Sequence, residues 1–90
     1  MVTGAGTRIQ VAADRVAGYQ GIRFGGFAYL AATGTRLPRV RIVVWHSGGE
    51  FDANLCEGDT FRVVGQTWRL DAIRGNGNGH SWHADLTRIT

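Results

Sequence analysis

Residues 39–56, RVRIVVWHSGGEFDANLC, alternate in character on either side of a Ser47-Gly48-Gly49 break. A strand repeats its side-chain direction every second residue. Val40, Ile42 and Val44 therefore share one face, and Arg39, Arg41, Val43 and Trp45 share the other. Beyond the break, Phe51, Ala53 and Leu55 point one way while Glu50, Asp52 and Asn54 point the other. Two such runs joined by a short glycine turn make an antiparallel hairpin. A helix would need apolar residues spaced three and four apart, and no long stretch of the chain supplies them.

The period of two continues outward in both directions. Upstream, TRIQVAA aligns Ile9, Val11 and Ala13. GIRFGGFAYLAA aligns Ile22 and Phe24, breaks at Gly25-Gly26 as a bulge or sharp bend would, and resumes with Phe27, Tyr29 and Ala31. Downstream, DTFRVV offers Phe61 and Val63. TWRLDAI offers Trp68 and Leu70 with a slip before Ile73, and SWHADLTRI offers Trp82, Ala84 and Leu86. Glu57-Gly58 suits the central positions of a type II turn, and Gly65-Gln66 suits a two-residue hairpin with glycine first. Residues 14–20, DRVAGYQ, have room for one helical turn, limited by Gly18. The expected fold is all-β: a small antiparallel barrel or sandwich of six to seven strands, with little or no helix, in a single domain over residues 1–90.

Composition sets the physical class. Hydrophobic residues make up 43% of the 90, which is globular rather than disordered. At this length burial nearly cancels against ordering entropy, so a protein partner or a second copy is expected, and a homo-oligomer in particular. The lone Cys56 rules out an internal disulfide, and no apolar run suits a signal peptide or a membrane span. A cytoplasmic protein with no membrane role is expected. All ten basic residues are arginine, and the net charge is +3. Residues 1–45 hold six arginines and one aspartate, whereas residues 46–90 hold four arginines and six carboxylates. Such asymmetry suits an anionic partner or two halves that complement each other.

The motifs that resemble chemical sites each meet a plainer reading. RGNGNGHSWH, residues 74–83, is rich enough in glycine to cradle a phosphate, but a strand follows it where a phosphate loop needs a helix. It is expected to be a hairpin connection at one rim of the fold. If a pocket exists, His46, Arg74, His80, Trp82 and His83 mark that rim. His80 and His83 have the H-x-x-H spacing of a zinc pair, yet on a strand the two rings point to opposite faces. A third ligand would have to be His46, Asp52 or Cys56. A Cys56–His46 thiolate pair or a Glu50–Asp52 dyad would be needed for catalysis, and neither pattern departs from a filler cysteine and a solvated strand face. No catalytic residue, metal site or cofactor is expected. Phe24, Phe27, Tyr29, Phe51, Phe61, Trp68 and Trp82 would either line a ligand cavity or fill the core.

The segment from Leu55 to Ile89, LCEGDTFRVVGQTWRLDAI…SWHADLTRI, resembles a family of short β-rich proteins of unknown function from high-GC Gram-positive bacteria. The shared pattern is L-x-x-GDTF, a tryptophan strand and a closing L-x-R-I. The resemblance implies that Gly58 makes a turn, Asp59 caps it through its side chain, and Phe61 and Trp68 fill the core. The same segment is more weakly similar to small β-rich neck proteins of tailed phages. Both point to a non-enzymatic role.

The leading expectation is a non-catalytic binding or assembly module acting through a protein partner or through self-association, with Arg39, Arg41, Val43 and Trp45 as the binding face. One alternative is a small-molecule-binding β-barrel, a shape-driven cyclase among the possibilities. Another is a single-stranded nucleic-acid-binding barrel, in which the same arginines track phosphates and Trp45 stacks on bases.

Overall fold

The computed structural model describes residues 6–13, 15–75 and 82–90. Within them lie eight strands: β1 Arg8–Ala12, β2 Val16–Tyr19, β3 Ile22–Leu30, β4 Arg39–His46, β5 Gly49–Leu55, β6 Thr60–Val63, β7 Gln66–Arg74 and β8 His83–Arg88. They form two four-stranded antiparallel sheets, ordered β1-β8-β7-β6 and β2-β3-β4-β5. The fold is an open sandwich, not a closed barrel. The extra strand relative to expectation is β2. Residues 16–19 pair with β3 from Val16↔Gly25 to Tyr19↔Ile22, so the helical turn anticipated there is absent. Four residues with a glycine among them gain more from a ready sheet edge than from an isolated turn of helix. No described helix is long and apolar enough to cross a membrane.

The alternation around residues 39–56 is realised along its whole length. Val40, Ile42 and Val44 are fully buried, with Ala53 and Leu55 buried beside them. The pairing runs from Val40↔Leu55 to His46↔Gly49. The facing sheet contributes Val11, Trp68, Leu70, Ala84 and Leu86, all without solvent contact. Aromatic rings knit the layers edge to face: Phe24 meets Trp68 at 5.2 Å and Phe61 at 6.2 Å, Phe61 meets Phe51 at 6.4 Å, and Tyr19 meets Trp68 at 5.3 Å. Each such contact adds about 0.5–1.5 kcal/mol beyond the area it buries. Trp68 keeps its indole N–H satisfied by donating to the buried Gln66 Oε1 at 3.0 Å. These rings fill the space between the sheets by contacting one another.

Two bulges set which side chains face outward. In β3 the register shifts between Gly26 and Ala28, leaving Phe27 without an opposite residue. Phe27 does not share the inward face of Tyr29; it is 64% exposed. In β7 the shift falls between Leu70 and Ala72, at the slip expected before Ile73. The extra residue there is Asp71, whose carboxylate accepts from the Thr87 hydroxyl and from Arg69 Nε. The turn at Cys56–Asp59 supports this distorted edge. Gly58, at φ +93°, lets the Asp59 N–H reach the Cys56 carbonyl at 3.0 Å, while the Asp59 carboxylate accepts the Cys56 N–H at 2.9 Å. The same turn gives Leu70 both backbone partners, and the Glu57 carboxylate accepts the Ile73 N–H at 2.8 Å. The expected cap is present, and the turn also extends the ladder along β7.

The β6–β7 hairpin differs from expectation. Val63↔Gln66 is its closing pair, so the loop is Val64-Gly65, with φ of +49° and +75°. Gln66 is drawn into β7 because its side chain is the buried partner of Trp68. A β-branched residue pays about 1–3 kcal/mol to hold a left-handed conformation. Val64→Asn is therefore expected to raise stability by about 1 kcal/mol, measurable as a higher thermal midpoint.

β1 leaves one sheet and β2 enters the other within a few residues, and β3 crosses that corner at Gly26. Ala13 bridges Gly26, whose N–H donates to the Arg15 carbonyl at 3.4 Å. A Cβ on Gly26 would collide with the Ala12 backbone and come within 2.9 Å of the Trp82 ring. Gly26→Ala should cost stability at or above the upper end of the about 1–3 kcal/mol typical of overpacking. A thermal midpoint within one degree of the parent protein would contradict that account.

Candidate functional site

The outer face of the β2-β3-β4-β5 sheet brings together what the sequence placed on β4. Opposed residues share a face, so cross-strand pairing defines its rows. One row is Gly18–Arg23–Trp45–Glu50, and the next is Val16–Gly25–Val43–Asp52. Then come Ala28–Arg41–Asn54 and the pair Leu30–Arg39. Arg39, Arg41, Val43 and Trp45 all lie on this face and are half-buried.

Sequence reasoning missed three contributors. Phe27 reaches this face through the bulge and packs under the Arg41 guanidinium, 5.8 Å from its ring centroid. Arg23 lies 5.7 Å from the centre of the Trp45 ring. Val16, on the strand read as a helical turn, is 58% exposed at the sheet edge. The signal for Phe27 was present in the double glycine: a bulge there shifts the alternation by one residue.

Gly25 and Gly26 serve opposite sides of the same strand. A Cβ at Gly25 would sit 2.8 Å from Trp45 Cζ3. The indole therefore lies flat across bare backbone, making an apolar floor with Val16 and Val43. Gly25→Ala is expected to lift Trp45 from that floor while leaving the core intact. With Trp68 and Trp82 buried, a red shift in tryptophan emission without loss of cooperative unfolding would report the change.

The charges on this face form two stripes. Arg23, Arg39 and Arg41 lie on β3 and β4; Glu50 and Asp52 lie on neighbouring β5. Arg41 donates through Nε to Asn54 Oδ1 at 3.0 Å rather than to a carboxylate. The described ion pairs, Arg69–Asp71 and Arg74–Asp85, are both on the other sheet.

Of the residues expected to mark one rim, Arg74 and His83 come together, and His46 lies on the other sheet. His46 is near the Phe51 ring at 5.9 Å and accepts the Gly48 N–H on Nδ1 at 3.1 Å. His83 and Arg74 pair directly across β8 and β7, on the other sheet. They lie at the far end of β8 from Arg88, which reaches the Tyr19 hydroxyl at 3.2 Å. Hydrogen bonds from Thr7 and then Arg88 hold that phenol below its ordinary pKa. Trp82 is buried against the Gly26 corner instead of lining a rim. His80 and the glycine-rich loop at 76–81 lie outside the described residues. Among the described residues, no three of His, Cys, Asp and Glu gather closely enough to hold a metal ion. Cys56 is half-buried beside its turn, and Glu50 and Asp52 share an open sheet face.

These features define a small antiparallel β-sandwich with two outer faces of different electrostatic design. Residues 5–90 match the model of a family of unknown function, DUF6406, and the chain belongs to that family. No curated protein and no solved structure matches it.

Proposed function

We propose that the protein is a non-catalytic assembly module that associates with a second copy of itself through the outer face of the β2-β3-β4-β5 sheet. The observation that carries this reading is the pair of stripes: arginines on β3 and β4 beside carboxylates on β5, with no ion pair between them among the described residues. A two-fold axis running along the strands between β4 and β5 lays β4 of each copy over β5 of the other, with Arg41 one row away from the partner copy's Asp52. Such an interface is self-complementary, as two-fold contacts must be. Trp45 and Val43, on β4 beside that axis, supply the apolar centre that charge alone does not.

The carboxylates favour this reading over single-stranded nucleic acid, whose phosphates they would repel. A hollow ligand-binding barrel is less favoured, because Phe24, Phe51, Phe61 and Trp68 contact one another across the interior.

Sedimentation equilibrium at micromolar concentration should show a dimer that weakens with salt. Arg41→Glu should loosen it by about tenfold or more, since like charges across an interface are costly. Adding Asp52→Arg to that variant should restore it. A wild-type monomer at every concentration and salt tested would overturn the proposal, as would salt-dependent capture of an oligonucleotide by this face without self-association.

A further inference from the structure

The opposite sheet carries a second feature that the assembly reading does not use. Its outer face holds a groove of about 570 Å³ walled by Arg8, Gln10, Arg69, Asp71, Arg74 and Asp85. That volume is within the range of small-molecule sites, roughly 300–1,000 Å³. The β7 bulge makes it: by displacing Asp71 from the ladder it opens a depression between β7 and β1 over the middle strand β8.

The arrangement of its charges is specific. Asp71 accepts Arg69 Nε at 2.6 Å, and Asp85 accepts Arg74 Nε at 3.2 Å. Among the described residues, each guanidinium bonds its carboxylate through Nε, and no hydrogen bond engages its two terminal nitrogens. The carboxylates thus orient the two arginines without covering their bidentate edges. Gln10 donates to Asp85 Oδ1 at 3.3 Å and steadies that end. The bonds from Thr87 and Arg69, followed by the nearby Arg69 and Arg8 charges, hold Asp71 below the usual carboxylate range. Arg8 lies on the third strand of the row Arg69–Thr87–Arg8, and among the described residues no carboxylate lies within ion-pair distance of it. Three guanidiniums therefore face two carboxylates, and one positive charge is left over.

We propose that this groove binds a small molecule bearing two or more oxyanion groups, phosphate or carboxylate, held between Arg8 and the oriented forks of Arg69 and Arg74. Arg8 and Arg69 sit two strand spacings apart, about 10 Å, a gap that two long side chains and a dianion between them close. Arginine forks match both oxyanions in geometry. A nucleic acid strand is a poorer fit, because Trp68 and Trp82, the tryptophans of this sheet, are buried and give bases nothing to stack on.

The test is a titration of the isotopically labelled full-length protein with inorganic pyrophosphate and, separately, with citrate, following backbone and arginine Nε signals. Saturable shifts confined to β1, β7 and β8 are expected with at least one of them, and which binds tighter identifies the oxyanion. Arg8→Gln should weaken that binding by about tenfold, the loss of one charge-assisted hydrogen-bonding partner, with an unchanged spectrum elsewhere. Arg41→Gln, on the other sheet, should leave it unaltered, so the outcome is independent of dimerisation. Three results would overturn the proposal: non-saturating shifts that match sodium chloride at equal ionic strength, binding indifferent to Arg8, or an oligonucleotide that outcompetes both anions.

Discussion

At Gly26 the backbone of β3 passes so close to Ala12 that no side chain fits between them. Much else follows from that approach. The chain changes sheets between Ala12 and Val16, and the corner closes only if β3 comes within bonding reach of residues 13 and 15. Ala13 donates to the Trp82 carbonyl at 3.3 Å, which anchors the entry to β8. The buried Trp82 then packs its ring against that glycine. A methyl group at position 26 would push the sheets apart at the one place where chain continuity, a backbone bridge and an indole ring coincide.

With the corner fixed, two single-residue insertions decide what the outside of the molecule offers. The bulge after Gly26 turns Phe27 outward, next to Arg41. The bulge after Leu70 turns Asp71 outward, next to Arg69 and Thr87. Each adds one residue without moving the core positions on either side, because side chains alternate and a bulge absorbs the change of phase. The Cys56–Asp59 turn gives Leu70 two backbone partners, and the Ile73 N–H the Glu57 carboxylate, where the ladder with β6 ends. The GDTF motif is thus structural, and its service is to the distorted strand that forms one wall of the groove.

Much of the fold was legible because period-two alternation recurs through residues 39–56 and the glycine turn falls between its two runs. The inward faces of β1, β4, β5 and β8 follow directly. The misreadings share a physical cause: tertiary context overruled a local signal. VAGY mixes the strand formers Val16 and Tyr19 with Ala17 and Gly18, too short a signal to read alone, and becomes β2 because β3 presents an edge. Gly65-Gln66 is a better hairpin pair than Val64-Gly65 on local grounds, yet Gln66 is pulled inward to satisfy Trp68. The candidate face was half legible. Its β4 stripe followed from period two, whereas Arg23 and Phe27 required the register of β3, which sequence alone leaves open. The separation of His46 from His83 also depended on which strands pair, and spacing is silent on that.

The two outer faces differ in how they handle charge, and stability does not explain the difference. An exposed ion pair contributes about 0–1 kcal/mol, and an exposed guanidinium over an aromatic ring contributes about 0.5–1 kcal/mol. Pairing Arg69 with Asp71, or laying Arg23 over Trp45, therefore stabilises the isolated chain to a similar degree. The consequences for a partner are opposite. On the β1-β8-β7-β6 face the carboxylates are engaged from the side and serve to aim the arginines. On the other face Arg23 and Arg41 rest on aromatic rings, and Glu50 and Asp52 keep their charge available on β5. A chain selected for folding alone has no need to keep opposite charges apart on neighbouring strands. The dimer proposed above would give that separation a use.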